Sequence, residues 1–191
     1  MSTEPAAPAR LTYLLVDGEN IDATIGNSIL SRRPEPSERP RWDRLLTFAE
    51  DQWQQPAKGL FFLNASTALP MTFVQALRAI GYTPIPLSGT GEDKVVDMAI
   101  IATLQALADR DDDVMLVSHD ADFVESMTPL VDGGRRTGLM GFEEFRAGGF
   151  APLEARGMEF FDLEHDAKAF NTRLPRLRII PIEEFDPLDF L

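Results

Sequence analysis

Four aspartates stand in contexts that ordinary surface charge does not explain. Asp17 follows the apolar run LTYLLV, Asp97 falls in the first turn of an apolar helical stretch, and Asp120 and Asp122 come just after VMLVS. Carboxylates gathered at one place repel one another, so a fold keeps them together mainly by binding a hard divalent cation between them. Oxygen-only ligation suits Mg²⁺ or Mn²⁺, whereas zinc prefers nitrogen or sulfur. The chemistry this set suggests is metal-assisted attack on a phosphate, with the cation activating water and neutralising charge on the attacking and leaving oxygens. No histidine base is required, and the chain has only His119 and His165.

Each aspartate also has a local explanation. Asp17 begins an Asp-Gly turn, Asp97 gains from the helix dipole, and Asp122 with Glu125 has the spacing of a capping box. These explanations do not require the carboxylates to fall on one edge of one sheet. Glu92, Asp93 and the acids at 111–113 read as cap and loop charges, Asp93 being the one best placed to support the site.

The elements that must position this set alternate strand-like and helix-like, the signature of a parallel sheet covered by helices. Strands are expected at 11–16, 58–64, 82–87, 114–118, 137–142 and 159–163. The third belongs at an edge because Pro84 and Pro86 cannot donate to a ladder. Helices are expected from Asn20 to about Leu30, over 41–53, over 70–80 with Gly81 as terminator, over 95–108 and over 121–131. The 95–108 helix is apolar almost all round, as a helix packed centrally against a sheet would be. The proline-rich SRRPEPSERP at 31–40 is a loop. If strands 1 and 4 flank the point where strand order reverses, Asp17, Asp120 and Asp122 meet beyond their carboxyl ends, and Asp97 faces the same crevice.

The chain has 191 residues, 44% of them hydrophobic, enough for one domain with a substantial core. Cysteine is absent, which excludes disulfides, thiolate zinc sites and a cysteine nucleophile. No apolar run reaches membrane-spanning length, and MSTEPAAPAR lacks the features of a signal peptide. A reduced, soluble, cytoplasmic protein is the expectation, with 1–10 a disordered lead-in, 11–163 the domain and 164–191 a C-terminal extension. The net charge of −13 argues against a general nucleic-acid coat protein. Arginine clusters at 32–44, at Arg135 and Arg136, and at Arg173, Arg176 and Arg178 are either solvated surface or patches that receive a polyanion. No P-loop or G-x-G-x-x-G follows strand 1, so no nucleotide cofactor is indicated.

The motifs VDGEN (16–20), EDKVVDMAI (92–100) and SHDADF (118–123) resemble, in this order, those of the NYN branch of the PIN-like nucleases, in particular its LabA-like members. The resemblance spans about residues 11–163. It implies a three-layer α/β/α Rossmann-like (PIN-like) domain with a mainly parallel central sheet. It also implies a Mg²⁺- or Mn²⁺-dependent ribonuclease that leaves a 5′-phosphate and a 3′-hydroxyl on single-stranded or structured RNA. Under it, Asp17, Asp97, Asp120 and Asp122 are the metal-binding acids. Asn20 positions the first turn or a water, Ser118 contacts the site, and Lys94 touches a scissile phosphate. His119 stands where the family usually has glycine, and could add a ligand, contact RNA or crowd the turn; the last two are favoured. Arg32, Arg33, Arg39 and Arg41, in an insertion the resemblance does not explain, are candidate RNA contacts.

Two other classes stay open. An aspartyl-phosphate phosphohydrolase would carry Asp-x-Asp after strand 1, whereas here it follows strand 4. A non-catalytic PIN-like module would bind RNA or protein without cutting. The acidic, apolar tail IIPIEEFDPLDFL is expected to pack on its own domain, the alternative being a second subunit or another protein.

Overall fold

The computed structural model describes residues 10–90, 94–177 and 179–191. The expectations placed on residues 1–9, Glu92, Asp93 and Arg178 lie outside these. Among the described residues, strands β1 (Thr12–Asp17), β2 (Ala57–Asn64), β3 (Thr83–Leu87), β4 (Asp113–Val117), β5 (Thr137–Gly141) and β6 (Glu159–Asp162) form one sheet in the order β3-β2-β1-β4-β5-β6. Every neighbouring pair is parallel. The chain builds outward from β1 to β3 and then returns to β4 on the other side of β1, so strand order reverses between β1 and β4. β3 is an edge strand, where Pro84 and Pro86 leave a ladder position free at least cost.

Alternation along the strands splits the core in two. Leu14, Val16, Phe61, Met115, Val117 and Met140 face one layer with α1 (Gly18–Thr24), α2 (Trp42–Trp53) and α3 (Met71–Ala79). Leu15, Phe62, Val114, Leu116 and Leu139 face the other, with α4 (Val95–Ala108), α5 (Val124–Met127) and α6 (Ala151–Glu154). This is the three-layer α/β/α arrangement.

Two helices differ from their sequence expectation. α4 buries one stripe, Val96, Ile100, Leu104 and Leu107, while Met98 is 63% exposed. It is a surface helix with an apolar outer face, not a centrally enclosed one. The helix expected at 121–131 breaks into a 3-10 turn, the four-residue α5 and a second 3-10 turn. Pro129 has no N–H to continue the ladder, and the Thr128 hydroxyl donates to the Val124 carbonyl at 2.7 Å. Asp112 and Asp113, expected in a loop, are buried. Asp113 accepts from Arg136 and Gln55, which ties the amino ends of β1, β4 and β5 together.

The C-terminal extension divides near residue 176. Ala167, Ala169 and Leu174 are in the core, and Arg176 closes this segment onto the domain. Its guanidinium is 2% exposed and contacts Asp162 (2.6 Å), Glu144 (2.6 Å) and Glu164 (2.9 Å). It also lies 4.6 Å from the Phe142 ring centroid. Arg176 is thus a buried structural cation and not part of a polyanion patch. Beyond it the tail, expected to pack on its own domain, is largely exposed, with the Phe190 ring centroid lying 5.6 Å from the Arg173 guanidinium. Leu177 is 95% and Ile179 96% exposed, and within the tail Phe185 stacks on Phe190.

Burial alone would raise the Asp162 carboxyl, but hydrogen bonds and charge from Arg176 outweigh it and hold it at about 2. A depressed carboxylate contributes stability above its unfolded value near pH 4, and loses it as pH falls through about 2. Arg176→Met is therefore expected to cost about 3–5 kcal/mol at neutral pH by leaving Asp162 unpaired. The gap between wild type and variant should narrow as pH falls from about 4 towards 2. Denaturant unfolding of both proteins across that range tests this; a gap independent of pH would show that the carboxylate is not what the arginine serves.

Candidate metal centre

The last β1 residue and the first residues after β4 meet at the strand-order reversal. Val16 pairs with Val117, so Asp17 and Ser118 lie side by side one step further on. Asp17 shares its sheet face with Leu15, the face on which α4 packs. Its carboxylate is 3% exposed. Oδ1 accepts the Asn20 N–H at 3.2 Å, which caps α1, and Oδ2 accepts the Ser118 hydroxyl at 3.0 Å. Burial pushes this carboxyl up to about 6; the two hydrogen bonds oppose the rise, while the charges of Asp97 and Asp120 add to it.

Ser118 Oγ also accepts the Asp120 N–H at 3.2 Å, so one hydroxyl links the ends of β1 and β4. Asp120, not Asp122, caps the turn that follows: its Oδ1 accepts the Asp122 N–H at 2.9 Å. Asp122 therefore does not act as the cap of a capping box. Its carboxylate instead joins Asp97, from the first turn of α4, and Asp120. One oxygen from each of the three lies within 4.8 Å of the others. Asp17 is not in this set; it stands behind it, joined through Ser118.

Lys94 Nζ lies 2.9 Å from Asp122 Oδ2 and 3.4 Å from Asp97 Oδ2. Contact with Asp122, and then with Asp97, raises the pKa of this ammonium. Burial raises the Asp97 carboxyl, and Lys94 offsets only part of that. Among the described residues a single cation thus sits among three carboxylates, and the cluster remains undercompensated. An oxygen-only set with an ammonium already drawn into it fits a hard divalent cation.

His119 crowds the turn, as one of its expected readings had it. It is 7% exposed, which removes the RNA-contact reading. Nε2 accepts the Phe142 N–H at 2.7 Å, so the ring proton belongs on Nδ1, 3.1 Å from Asn20 Oδ1 and 3.2 Å from Thr24 Oγ1. Burial lowers its pKa to about 4, so the ring is neutral at ordinary pH. The ring fits because residue 141 is glycine; a Cβ there would stand 2.8 Å from Nε2. Asn20 also accepts the His119 N–H at 2.9 Å, which pins α1 to the β4 loop. Thr24 and Gly141 were not anticipated as supports, because their significance depends on a ring brought from another strand.

The arginine loop is mostly committed elsewhere. Arg32 pairs with Glu38, Arg39 with Asp22 and Arg41 with Asp43. Arg135 and Arg136 bond to Asp132, Asp113 and backbone carbonyls. Arg33 forms no ion pair among the described residues.

A family model, the NYN domain, matches residues 11–164. The chain belongs to the NYN domain family. The match is to the family as a whole and does not single out a branch within it. An NYN domain is a PIN-like, nuclease-type domain, and the acid cluster lies within the matched stretch. Among solved structures, a protein of unknown function from Vibrio parahaemolyticus shares the fold at a TM-score of 0.64 and 17% identity, covering 85% of this chain and 98% of its own. No curated protein matches the chain. Among the described residues, no helix is long and apolar enough to cross a membrane.

Asp120 has like charges beside it and makes no ion pair among the described residues. Asp120→Asn keeps the capping oxygen and removes the charge. The metal-free variant is expected to match wild type or exceed it by about 0.5 kcal/mol. At a Mn²⁺ concentration of about 100 Kd, wild type should gain about 2.7 kcal/mol and the variant much less. Thermal unfolding with and without Mn²⁺ tests this; equal stabilisation of both proteins would remove Asp120 from the cation site.

Proposed function

We propose that this NYN domain is a ribonuclease that hydrolyses RNA phosphodiester bonds with Mg²⁺ or Mn²⁺ bound, leaving a 5′-phosphate and a 3′-hydroxyl. The observation that carries this reading is the convergence of Asp97, Asp120 and Asp122 at the strand-order reversal of a nuclease-type fold. These three residues would hold the cation, and Asp17 would add its charge from behind through Ser118. When bound, the cation would neutralise charge on the phosphate and make a bound water more acidic.

The remaining work falls to side chains already in place. Asp120 Oδ2 has no hydrogen-bond donor among the described residues, whereas Oδ1 is engaged by Asp122 N–H. It is the open acceptor for the proton of an attacking water. Lys94 Nζ, two-thirds exposed beside Asp122 and Asp97, would offer its ammonium to a phosphate oxygen of the substrate. Neutral His119, held between Phe142 N–H and Asn20, supports the turn and takes no part as a base.

Asp120→Asn is expected to lower RNA cleavage by at least about 100-fold, the scale for loss of a positioned acid or base. Purified protein, Mn²⁺ or Mg²⁺ and labelled single-stranded and structured RNAs provide the assay. Undiminished cleavage by the folded variant would sink the reading. RNA binding without calorimetric Mn²⁺ binding would leave a non-catalytic RNA module in its place.

The partner role of the tail rests on its exposed Ile179, Ile182 and Leu188, interleaved with acids. Truncation after Arg176 should leave the melting temperature of the domain nearly unchanged while lowering the apparent mass in solution. An unchanged oligomeric state would remove docking on a second copy.

A further inference from the structure

On the α1–α2–α3 side of the sheet, the opposite face from α4, the carboxyl ends of β1 and β2 open into a cavity of about 520 Å³. That volume is in the range of sites for compact organic ligands. Its apolar wall comes from Trp42, Phe61 and Phe73. Trp42 meets Phe61 edge-on with centroids 4.9 Å apart, and Phe61 meets Phe73 at 5.5 Å. Gly18, the residue after Asp17, lies against the Phe61 ring so closely that a Cβ would sit 2.5 Å from it. One glycine therefore connects the cavity wall directly to the acid that backs the metal centre.

The rim is polar and unevenly satisfied. Arg39 is held by Asp22 through contacts of 2.6 and 3.2 Å, so it closes the wall without a spare charge. Arg33 also lines the cavity, is exposed, and has no carboxylate partner among the described residues. Asn64, at the end of β2, uses its carboxamide oxygen to accept the Ser66 N–H at 2.9 Å. Its amide nitrogen has no acceptor among the described residues and can donate to a ring nitrogen or carbonyl. Glu19 also lines the cavity and accepts the Asn64 N–H at 3.2 Å, so the rim carries one carboxylate beside Arg33. An apolar aromatic wall, one amide donor and one uncommitted guanidinium suit a nucleobase joined to a phosphate.

We propose that this cavity binds the base of a nucleotide adjacent to the scissile phosphate in RNA, with Phe73 and Asn64 on the base and Arg33 on that nucleotide's phosphate. The inference rests on the ribonuclease reading for which strand is bound, since the same chain would cross the carboxyl edge of the sheet from the acid cluster to the cavity. It gives the site a preference for single-stranded RNA, because a base inside a duplex cannot turn into such a cavity.

The test uses the full chain in EDTA, so that no cleavage occurs, with a fluorescent single-stranded oligoribonucleotide and a series carrying one abasic residue at each position. One abasic position is expected to weaken wild-type binding roughly 10- to 100-fold, the scale of one base contact. Phe73→Ala and Asn64→Ala should weaken binding of the intact strand and lose the sensitivity to that abasic position. Arg33→Gln should weaken intact and abasic strands alike and reduce the salt slope by about one ion. Asn64 is exposed, so Asn64→Ala decides the matter if Phe73→Ala does not fold. Equal binding of all abasic strands, abasic sensitivity retained in Asn64→Ala, or no oligonucleotide binding would each overturn the cavity's role. Abasic-sensitive binding with no cleavage in Mn²⁺ would leave the cavity standing and sink the ribonuclease reading. Cleavage with abasic-insensitive binding would do the reverse.

Discussion

The parallel pairing of β1 with β4 is the constraint on which the rest of the site depends. Their register places Asp17 and Ser118 side by side just past the last pair, at the edge where strand order reverses. The Ser118 hydroxyl donates to Asp17 and accepts from Asp120, so the two strand ends are linked by hydrogen bonds as well as by the ladder. Asp120 then shapes its own turn and directs Asp122 towards Lys94. α4 covers the same sheet face and brings Asp97 in by its first turn. Slipping β1 by one residue would turn Asp17 to the opposite face, away from α4.

Around this edge, carboxylates differ in how their charge is answered. Asp113, Asp162 and Asp22 each have an arginine against them. Among the described residues the acid cluster has only Lys94, an ammonium that is itself well exposed. A buried carboxylate with a fitted guanidinium holds structure in place. Carboxylates that share one exposed ammonium are instead left undercompensated, the condition under which oxygen ligands suit a hard divalent ion. Most of the arginines in the loop at 31–41 answer carboxylates in their own neighbourhood, and Arg33 alone of Arg32, Arg33, Arg39 and Arg41 has no carboxylate partner among the described residues.

The polar groups that support the centre are buried in fixed states. His119 is a neutral ring with both nitrogens engaged, packed on Gly141 and Phe142. The structure accommodates it with a glycine on the adjacent strand. Asp17 is similarly enclosed, its two oxygens divided between a helix cap and Ser118. Such networks keep geometry by leaving no cheap alternative pairing. They also explain why Asp17, nominally equal to the other acids in the motif, sits behind them.

The strands and most helices were determined by features within a few residues of one another. Apolar runs such as YLLV and VMLV mark buried parallel strands, and Pro84 and Pro86 mark an edge, whereas which stripe of the all-round apolar α4 is buried emerged only from its packing. The three motifs were legible for the same reason, since each lies at one strand or helix end. What only the tertiary structure decided was partnership at a distance. Arg39 meets Asp22 seventeen residues away, Arg176 enters an acidic pocket formed by Glu144, Asp162 and Glu164, and Asp113 is enclosed by Arg136. A long charged side chain has no periodicity to show which opposite charge it will reach. Local pattern therefore located the acids, while the three-dimensional placement of the cations decided which arginines are paired and that Asp17 stands behind the cluster of Asp97, Asp120 and Asp122.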